Sequence, residues 1–171
     1  TTGLFFVAVP PAAAAAVVLA AVLLPLPLVV PPRLREPQPL PAPVPRPPKI
    51  VCAGLNYRDH AEEQNEEIPD EPLLFSKAPT TVTNPNSPIV HPVGEQVDYE
   101  VELAVVMGRV AKNLDEADVA DYVAGYTVLN DVSGRDAQFS DGQFFRGKSY
   151  DTFSPMGPTL VAGEEYDPNA V

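Results

Sequence analysis

Glu100 and Glu102 are the residues whose types and spacing point most directly to chemistry. They lie in an apolar stretch, 97–110, that predicts a β-strand, and side chains two positions apart on a strand share one face. Two carboxylates on one face repel each other unless a proton or a cation lies between them. Their hard oxygen atoms suit Mg²⁺, Mn²⁺ or Ca²⁺ better than zinc. An edge strand with solvent-exposed acids is the alternative interpretation.

Asp131 adds a third carboxylate after the apolar segment 126–129, where a strand is expected to pass into a loop. Arg135, Gln138 and Lys148 follow it along the chain. Three acids beside cationic and amide side chains are what a metal ion with an anionic oxo-acid substrate requires. Each residue also has a simpler interpretation, as a turn residue for Asp131 and as surface charges for the two cations.

His60 and Glu63 are the candidate acid–base residues. They are three positions apart in a segment with helix-forming residues, so they share a helix face and the carboxylate can orient the imidazole. An exposed helical pair without a function is the alternative. His91, in a proline-rich loop, is interpreted as structural. Cys52, within an apolar segment, is interpreted as a small buried side chain rather than a nucleophile.

Short apolar segments predict the elements that must position these side chains. Strands are predicted at 49–54, 73–77 and 126–129, with the longest at 97–110. Helices are predicted from residue 56 to about residue 67 and from residue 113 to about Gly125. On the segment 97–110, the odd-numbered face from Tyr99 to Met107 is expected to belong to the core. Because strands outnumber helices, the expected fold class is α+β and mostly β.

The 171 residues carry a formal net charge of −12, and the two parts of the sequence differ. The first 50 residues contain 13 of the 22 prolines and one acidic side chain, so the excess of acids lies in the remainder. The acidic balance argues against nucleic-acid binding, which needs a basic face. The single cysteine excludes an intrachain disulfide and fits a reducing compartment, so a cytoplasmic location is expected.

Residues 1–32 contain no charged side chain. Their longest unbroken apolar run, 12–24, has 13 residues, which is shorter than the roughly 20 residues of a membrane-spanning helix. No Lys or Arg precedes this run, in contrast to the basic start of a signal peptide. Residues 3–9 predict a short buried strand, and 33–48 an extended proline-rich linker. A membrane-tethered protein that uses residues 1–30 remains an alternative.

Five ordered segments resemble motifs of the catalytic domain of the fumarylacetoacetate hydrolase family. They are 49–63, 72–77, 98–103, 130–136 and 147–152. The resemblance covers about residues 43–171 and implies a mixed β-roll or sandwich of that family's type. The preceding residues, 1–42, are expected from their composition to form a small apolar, proline-rich region and linker. The resemblance also implies that 43–171 are the N-terminal portion of the catalytic domain, incomplete as given, because family members continue with further strands.

The resemblance implies a divalent ion, Mg²⁺ or Mn²⁺ with Ca²⁺ as a further option, and a role for each candidate residue. The implied metal ligands are Glu100, Glu102 and Asp131. The implied catalytic residues are His60, Glu63 and Lys148, and the implied substrate-binding residues are Arg135, Gln138 and Lys77. Many family members are homodimers, so the expected partners are a second copy of the chain and a small 2-oxo acid, without nucleic acid or membrane.

The implied activity is that of a metal-dependent enzyme acting on 2-oxo acids. The first expectation is C–C bond hydrolysis of an acylpyruvate or fumarylacetoacetate-like substrate, in the catabolism of aromatic compounds, through a metal-stabilised enolate. The same enolate serves a 2-hydroxyhepta-2,4-diene-1,7-dioate isomerase or an oxaloacetate-type decarboxylase, so these reactions remain open. A non-catalytic binding relative is the alternative from a different functional class.

Overall fold

A computed structural model describes residues 40–58, 61, 62, 65 and 67–167, together with the backbone of 17–21. His60 and Glu63, and the strand predicted at 3–9, lie outside the described residues. Within the described part of the chain, no helix is both long enough and apolar enough to cross a bilayer.

Most of the regular structure is β. The strands are β1 (Val17–Ala21), β2 (Ile50–Gly54), β3 (Leu73–Lys77), β4 (Val82–Thr83), β5 (Val97–Asp98), β6 (Val101–Met107), β7 (Val123–Asn130), β8 (Ser133–Gly134), β9 (Ser154–Pro155) and β10 (Val161–Ala162). In the described residues, one six-stranded sheet has the order β10-β7-β6-β1-β2-β3, and β4–β9 and β5–β8 form two-stranded sheets. The prediction of a mostly β fold is therefore confirmed.

Strand β1 lies between β6 and β2 in the main sheet, parallel to β6 and antiparallel to β2. Part of the apolar run 12–24 thus contributes to the same sheet as the strands that follow the proline-rich segment. Strand β10 pairs with β7, with Val161 opposite Tyr126. Each of these pairings gives the backbone of an apolar segment hydrogen-bonding partners inside the sheet.

The predicted strand 97–110 is wrong in its extent, because Tyr99 and Glu100 separate β5 from β6. The two strands have different partners, since β5 pairs with β8 and β6 pairs with β7. At the junction, the Glu100 N–H donates to Asn130 Oδ1 at 3.1 Å and the Asp131 N–H donates to the Glu100 carbonyl at 2.7 Å. With eight residues, β7 is longer than β6 with seven.

The odd-numbered face of this segment belongs to the core only at its far end. Tyr99 and Val101 are 72% and 66% exposed, so the prediction is wrong for them, whereas Val105 and Met107 are buried. Val105 and Met107 pack with Ala111, Leu114, Tyr122, Val123 and Tyr126. These residues come from the loop after β6, from the last residue of a 3-10 helix (Glu116–Tyr122) and from β7, and they cover one end of the face.

The main core lies on the even-numbered face of β6. Ala104 and Val106 are buried there. They belong to one cluster with Ala42, Val44, Ile50, Cys52, Leu129 and Met156. Cys52 is 2% exposed, which confirms that it is a small buried side chain. Burial and the negative charge of Asp131 raise the pKa of its thiol, so the thiol stays neutral.

Helical structure is short. The predicted helix from residue 113 is instead a 3-10 helix, Glu116–Tyr122, and β7 begins at Val123, so the predicted end near Gly125 is wrong. The pairing of Val123 with Met107 on β6 ends the helix earlier than the sequence indicates. Further 3-10 turns are Pro79–Thr81 and Gly163–Glu165, and an α-helix occupies Arg135–Ser140. Arg58, Ala61 and Glu62 have helical backbone, in agreement with a helix after residue 56.

Candidate active site

The candidate site forms where the start of β6 meets the end of β7. These strands are antiparallel, with Val101 opposite Asn130 and Glu102 opposite Leu129. The register therefore places the acids at the start of β6 beside Asp131, which follows β7. Lys77 from the end of β3 and Lys148 from the loop after the helix Arg135–Ser140 reach the same carboxylates.

Lys77 is a buried cation with two oxygen partners. Its side chain is 1% exposed, and Nζ donates to Asp131 Oδ1 at 2.5 Å and to the Val132 carbonyl at 3.1 Å. Burial lowers the pKa of Lys77, and the neighbouring Asp131 carboxylate opposes that shift. Asp131 itself is 1% exposed, so the pair lies in a low-dielectric environment where each charge depends on the other.

Lys148 provides the second buried ammonium. It is 2% exposed, and Nζ donates to Glu100 Oε2 at 2.6 Å and to Asp131 Oδ2 at 3.0 Å. Its Nζ also lies 5.3 Å from the centroid of the Phe75 ring, a distance compatible with a cation–π contact. Both oxygens of Asp131 thus have a lysine partner, and one positive charge bridges two carboxylates.

Arg135 lies at the start of the helix Arg135–Ser140 and joins three side chains. Nε and Nη2 donate to Asp98 Oδ2 at 3.2 and 2.7 Å. Nη1 lies 2.7 Å from Glu100 Oε1 and donates to Gln138 Oε1 at 2.9 Å. The hydrogen bond from Arg135 lowers the pKa of Asp98. One helical turn separates Arg135 from Gln138, which places both side chains on one face.

Glu102 forms no ion pair among the described residues, although Lys77 and Lys148 are close enough to lower its pKa slightly. Its Oε2 atom is buried and has no hydrogen-bond partner among the described residues. Burial, with the nearby charges of Asp131 and Glu100, raises the pKa of Glu102 to about 8. The side chain therefore holds a proton at neutral pH, since the ionised form would be both desolvated and repelled by two carboxylates.

Two of the three predicted metal ligands, Glu100 and Asp131, form ion pairs with lysine or arginine side chains. In the part of the chain that the structure describes, no three side chains of the types His, Cys, Asp or Glu are arranged to hold a metal ion. The oxygens of Asp131 and Glu100 contact lysine or arginine instead. The ligand set Glu100, Glu102 and Asp131 therefore stays a prediction.

Seven of the nine predicted site residues lie in or beside this cluster; the other two, His60 and Glu63, lie outside the described residues. His91 is exposed in its loop, and its Nδ1 contacts the Pro92 carbonyl at 2.8 Å. Asp98 and Phe75 were given no role by the sequence. A signal existed for both, because Asp98 is two residues from Glu100 and Phe75 is two residues from Lys77.

Comparisons with known proteins bear on the family and the fold of the chain. Residues 49–171 match the family model described as "Fumarylacetoacetate (FAA) hydrolase C-terminal". "Oxaloacetate tautomerase Fahd2a, mitochondrial" from Rattus norvegicus is 49% identical over 120 residues, which make up 69% of this chain and 38% of the relative. The chain spans about half or less of the length of the curated relatives it matches.

Solved structures share the fold, as two examples show. The 5-carboxymethyl-2-hydroxymuconate delta-isomerase from Mycobacterium smegmatis matches with a TM-score of 0.64 and 44% identity, over 72% of this chain and 49% of that one. The fumarylacetoacetate hydrolase from psychrophilic Exiguobacterium antarcticum matches with a TM-score of 0.67 and 39% identity, over 75% and 47%. These matches confirm the type of β-fold that the sequence motifs implied.

Proposed function

Because this chain belongs to the fumarylacetoacetate hydrolase family, as its five ordered motifs predicted, we propose that it converts 2-oxo acids through an enol or enolate. The proposed substrates carry a second carbonyl or carboxylate group. The observation that carries the proposal is the pair of buried ammonium groups, Lys77 and Lys148, around Asp131. Fixed positive charge in a water-poor site stabilises the negative oxygen that develops when an enolate forms.

Lys148 is suited to contact the developing oxygen. An ammonium group has three N–H donors, and the contacts with Glu100 and Asp131 use two of them. The third is therefore available for a substrate oxygen. Burial of the side chain makes that interaction stronger than it would be in water.

Arg135 and Gln138 are suited to bind a substrate carboxylate. A guanidinium has five N–H donors, and the contacts with Asp98, Glu100 and Gln138 use four. One N–H of Arg135 and the amide N–H groups of Gln138 remain for an anion, since Gln138 uses its oxygen toward Arg135. Charge-assisted hydrogen bonds of this kind fix both the position and the orientation of a carboxylate.

Proton transfer between carbon and oxygen is the reaction that we favour. A base removes a proton from the carbon next to the 2-oxo carbon, and the 2-oxo oxygen gains a proton, so a keto acid becomes its enol without net gain or loss of atoms. The names of the rat relative, a tautomerase, and of the mycobacterial structure, an isomerase, support this choice. We assign the proton transfer to His60, with Glu63 as the group that orients its imidazole.

C–C bond hydrolysis is the second candidate. The specific observation in its favour is the name of the Exiguobacterium structure, a fumarylacetoacetate hydrolase of 39% identity. It needs the same stabilised enolate as a leaving group, and in addition a water molecule that His60 deprotonates for attack on the distant carbonyl. The two reactions therefore share the cluster around Asp131 and differ in the bond that breaks: a C–H bond in tautomerisation and a C–C bond in hydrolysis.

We propose Glu100, Glu102 and Asp131 as the ligands of a divalent cation, Mg²⁺ or Mn²⁺. The supporting observation is the buried Oε2 of Glu102, which lacks a partner among the described residues beside two further carboxylates. Carboxylate oxygens are the ligands that these ions prefer. When bound, such an ion supplies Lewis-acid polarisation of the 2-oxo group. Ionised Glu102 would then gain a positive partner in direct contact, in addition to the more distant charges of Lys77 and Lys148.

A substrate panel tests the proposal. The purified full chain is incubated with Mg²⁺ and with oxaloacetate or an acylpyruvate, and the enol and the cleavage products are followed by ultraviolet absorbance. For oxaloacetate we expect enol–keto conversion at least about 100-fold above the rate without protein, and a loss of about 100-fold or more in His60→Ala, as general acid–base catalysis typically contributes.

A matched pair of arginine variants controls for charge. Arg135→Gln should raise the KM for oxaloacetate about tenfold or more, because it removes a charged contact with the substrate carboxylate. Arg109→Gln removes an exposed arginine that lies over Tyr122 and should leave KM unchanged. No conversion of any substrate by the wild-type chain would contradict the enzymatic proposal, and cleavage of the acylpyruvate would favour the second candidate.

A further inference from the structure

We propose that Glu95 is a positioning residue that holds the two substrate-binding segments of the site together. The inference rests on the proposed function, since it takes Arg135, Gln138 and Lys148 as the groups that meet the substrate. Glu95 lies in the loop before β5 and touches none of these three side chains in the described contacts. Its effect is transmitted through the backbone of the segments that carry them.

The two oxygens of Glu95 reach two different segments. Oε2 accepts a hydrogen bond from the Ala137 backbone N–H at 3.2 Å, in the first turn of the helix Arg135–Ser140. Oε1 accepts a hydrogen bond from the Tyr150 hydroxyl at 2.8 Å. This bond raises the pKa of Tyr150, as expected when the hydroxyl donates to a carboxylate. Tyr150 follows Lys148 by two residues, so one carboxylate connects the Arg135 segment with the Lys148 segment.

Gly134 allows the carboxylate to come this close. A Cβ atom at Gly134 would lie 2.8 Å from Glu95 Oε2 and 3.0 Å from the Tyr150 ring. Both distances are at or below the limit for ordinary carbon contacts, so any side chain at this position would displace one of the two partners. The absence of a side chain immediately before Arg135 is thus part of the same arrangement.

The residue after Glu95 makes further contacts with the same helix start. The Gln96 carbonyl accepts from the Arg135 N–H at 2.9 Å, and the Gln96 N–H donates to Asp136 Oδ2 at 2.7 Å. With the Glu95 contact, three successive residues at the start of the helix are bound to the segment 95–96. Arg135 begins this helix and Gln138 lies one turn later, so their side-chain directions follow from how the helix start is held.

The Lys148 segment packs directly on that helix. The Gly134 N–H donates to the Gly147 carbonyl at 2.7 Å, and a Cβ at Gly147 would lie 2.6 Å from the Gln138 nitrogen. The two segments therefore pack backbone against backbone, and a side chain at Gly147 would force them apart. Glu95 lies outside this contact and forms a hydrogen bond with each of the two segments. We call this pair of hydrogen bonds, to Ala137 and Tyr150, the Glu95 clamp.

Replacement of Glu95 by Ala and by Gln separates positioning from charge. Glutamine preserves both contacts, because its oxygen can accept from the Ala137 N–H and its NH₂ group can donate to the Tyr150 hydroxyl oxygen. We expect Glu95→Ala to lower kcat/KM for oxaloacetate by about 10- to 100-fold, since small misplacements of binding groups cost that much. Glu95→Gln should remain within about threefold of wild type. Tyr150→Phe removes one of the two contacts and should fall between them.

A readout without turnover keeps the inference distinct from the proposed function. Amide hydrogen exchange across 134–150 should be about tenfold faster or more in Glu95→Ala and unchanged in Glu95→Gln, whatever the substrate is. If the wild-type chain converts no substrate, the proposed function is refuted. The hydrogen-exchange measurement still tests whether Glu95 holds the two segments together. Mn²⁺ affinity measured by calorimetry should stay within about twofold in all three variants.

Three results would overturn the clamp. They are unchanged exchange and unchanged kcat/KM in Glu95→Ala, an equal loss of kcat/KM in Glu95→Gln and Glu95→Ala, or a loss of Mn²⁺ affinity in Glu95→Gln. The second and third would mean that the charge of Glu95 acts in chemistry or metal binding. If Glu95→Ala does not fold, Tyr150→Phe and Glu95→Gln decide the question, because faster exchange in the first and wild-type exchange in the second are then required.

Discussion

The two ends of strand β6 differ in the side chains that surround them: apolar at one end and charged at the other. At the far end, Ala104 and Val106 are buried among apolar side chains, where each contact stabilises the fold. At the start, Glu102 and its neighbour Glu100 lie beside Asp131, Lys77 and Lys148, where buried charges are tolerated only because they are paired. One strand thus joins a segment that stabilises the sheet to a segment that costs stability and carries the proposed chemistry.

The largest expected effect comes from breaking the buried ion pair. Lys77→Met leaves the buried Asp131 Oδ1 without its cation, so the free energy of unfolding should fall by about 3 kcal/mol or more. Urea denaturation followed by circular dichroism measures this. Lys112→Met, at an exposed lysine, is the control and should change little. A loss below about 1 kcal/mol in Lys77→Met would contradict the dependence of Asp131 on Lys77.

A cavity at the apolar end of β6 should lower the free energy of unfolding less than Lys77→Met does, and it should leave the activity of the site unchanged. Val106→Ala removes two buried methyl groups, so we expect a loss of about 2 kcal/mol in the free energy of unfolding. Oxaloacetate turnover and Mn²⁺ affinity of the folded variant should match those of wild type. An equal loss of turnover in Val106→Ala and Lys148→Met would mean that the two ends of β6 do not act separately.

Glu102→Gln should stabilise the protein without added metal, in contrast to most core substitutions. The folded protein keeps a proton on Glu102 up to about pH 8, against an ordinary value of 4.5. Because the folded state binds this proton more tightly, the wild-type free energy of unfolding falls as pH rises from about 4.5 to 8. Glutamine does not titrate, so the variant should be little changed at pH 4.5 and should gain stability relative to wild type toward pH 8, by about 1.4 kcal/mol for each unit by which the pKa is raised.

The same substitution should remove Mn²⁺ binding, since it eliminates a proposed ligand. Thermal unfolding at several pH values with EDTA, and calorimetric Mn²⁺ titration, measure the two effects. Glu116→Gln, at an exposed acid, is the matched control for both. A variant that is less stable than wild type at pH 8, or that binds Mn²⁺ as wild type does, would contradict the assignment of Glu102.

The smallest effect is expected for the exposed pair formed by Arg146 and Asp141. Their charged atoms are as close as those of Lys77 and Asp131, at 2.5 Å, but the Arg146 side chain is 54% exposed. Water and salt screen such a pair, so Arg146→Gln should leave the melting temperature within measurement error. A clear decrease would show that charge pairing as such, rather than burial, distinguishes the site from the surface.

Local patterns were sufficient for several strands. The sequence predicts 73–77, which matches β3, and 49–54, which differs from β2 by one residue. These segments are short apolar runs bounded by Gly or Pro, so their structure follows from nearby residues. The segment 126–129 lies within β7, whose first residue, Val123, joins the strand by pairing with Met107 on β6.

Contacts between residues far apart in the sequence determined where the predicted strand 97–110 breaks and which of its side chains are buried. The sequence could not place the break at Tyr99 and Glu100, because it depends on β8 and β7 being the partners of β5 and β6. Nor could it show that Val101 is exposed while Val105 is buried, because the residues that cover Val105 come from 111–126. The α-helix Arg135–Ser140 was missed because six residues are too few for a periodic signal.

By itself, the sequence determined the family, the mostly β fold class and the identities of the candidate site residues, because ordered motifs and apolar runs are local properties of the chain. The tertiary structure alone decided which charges meet. Lys77 and Asp131 are 54 residues apart, and Lys148 and Glu100 are 48 apart. Strand register and burial set those distances, and burial is also what leaves the Glu102 carboxyl neutral and makes each remaining charge depend on a partner.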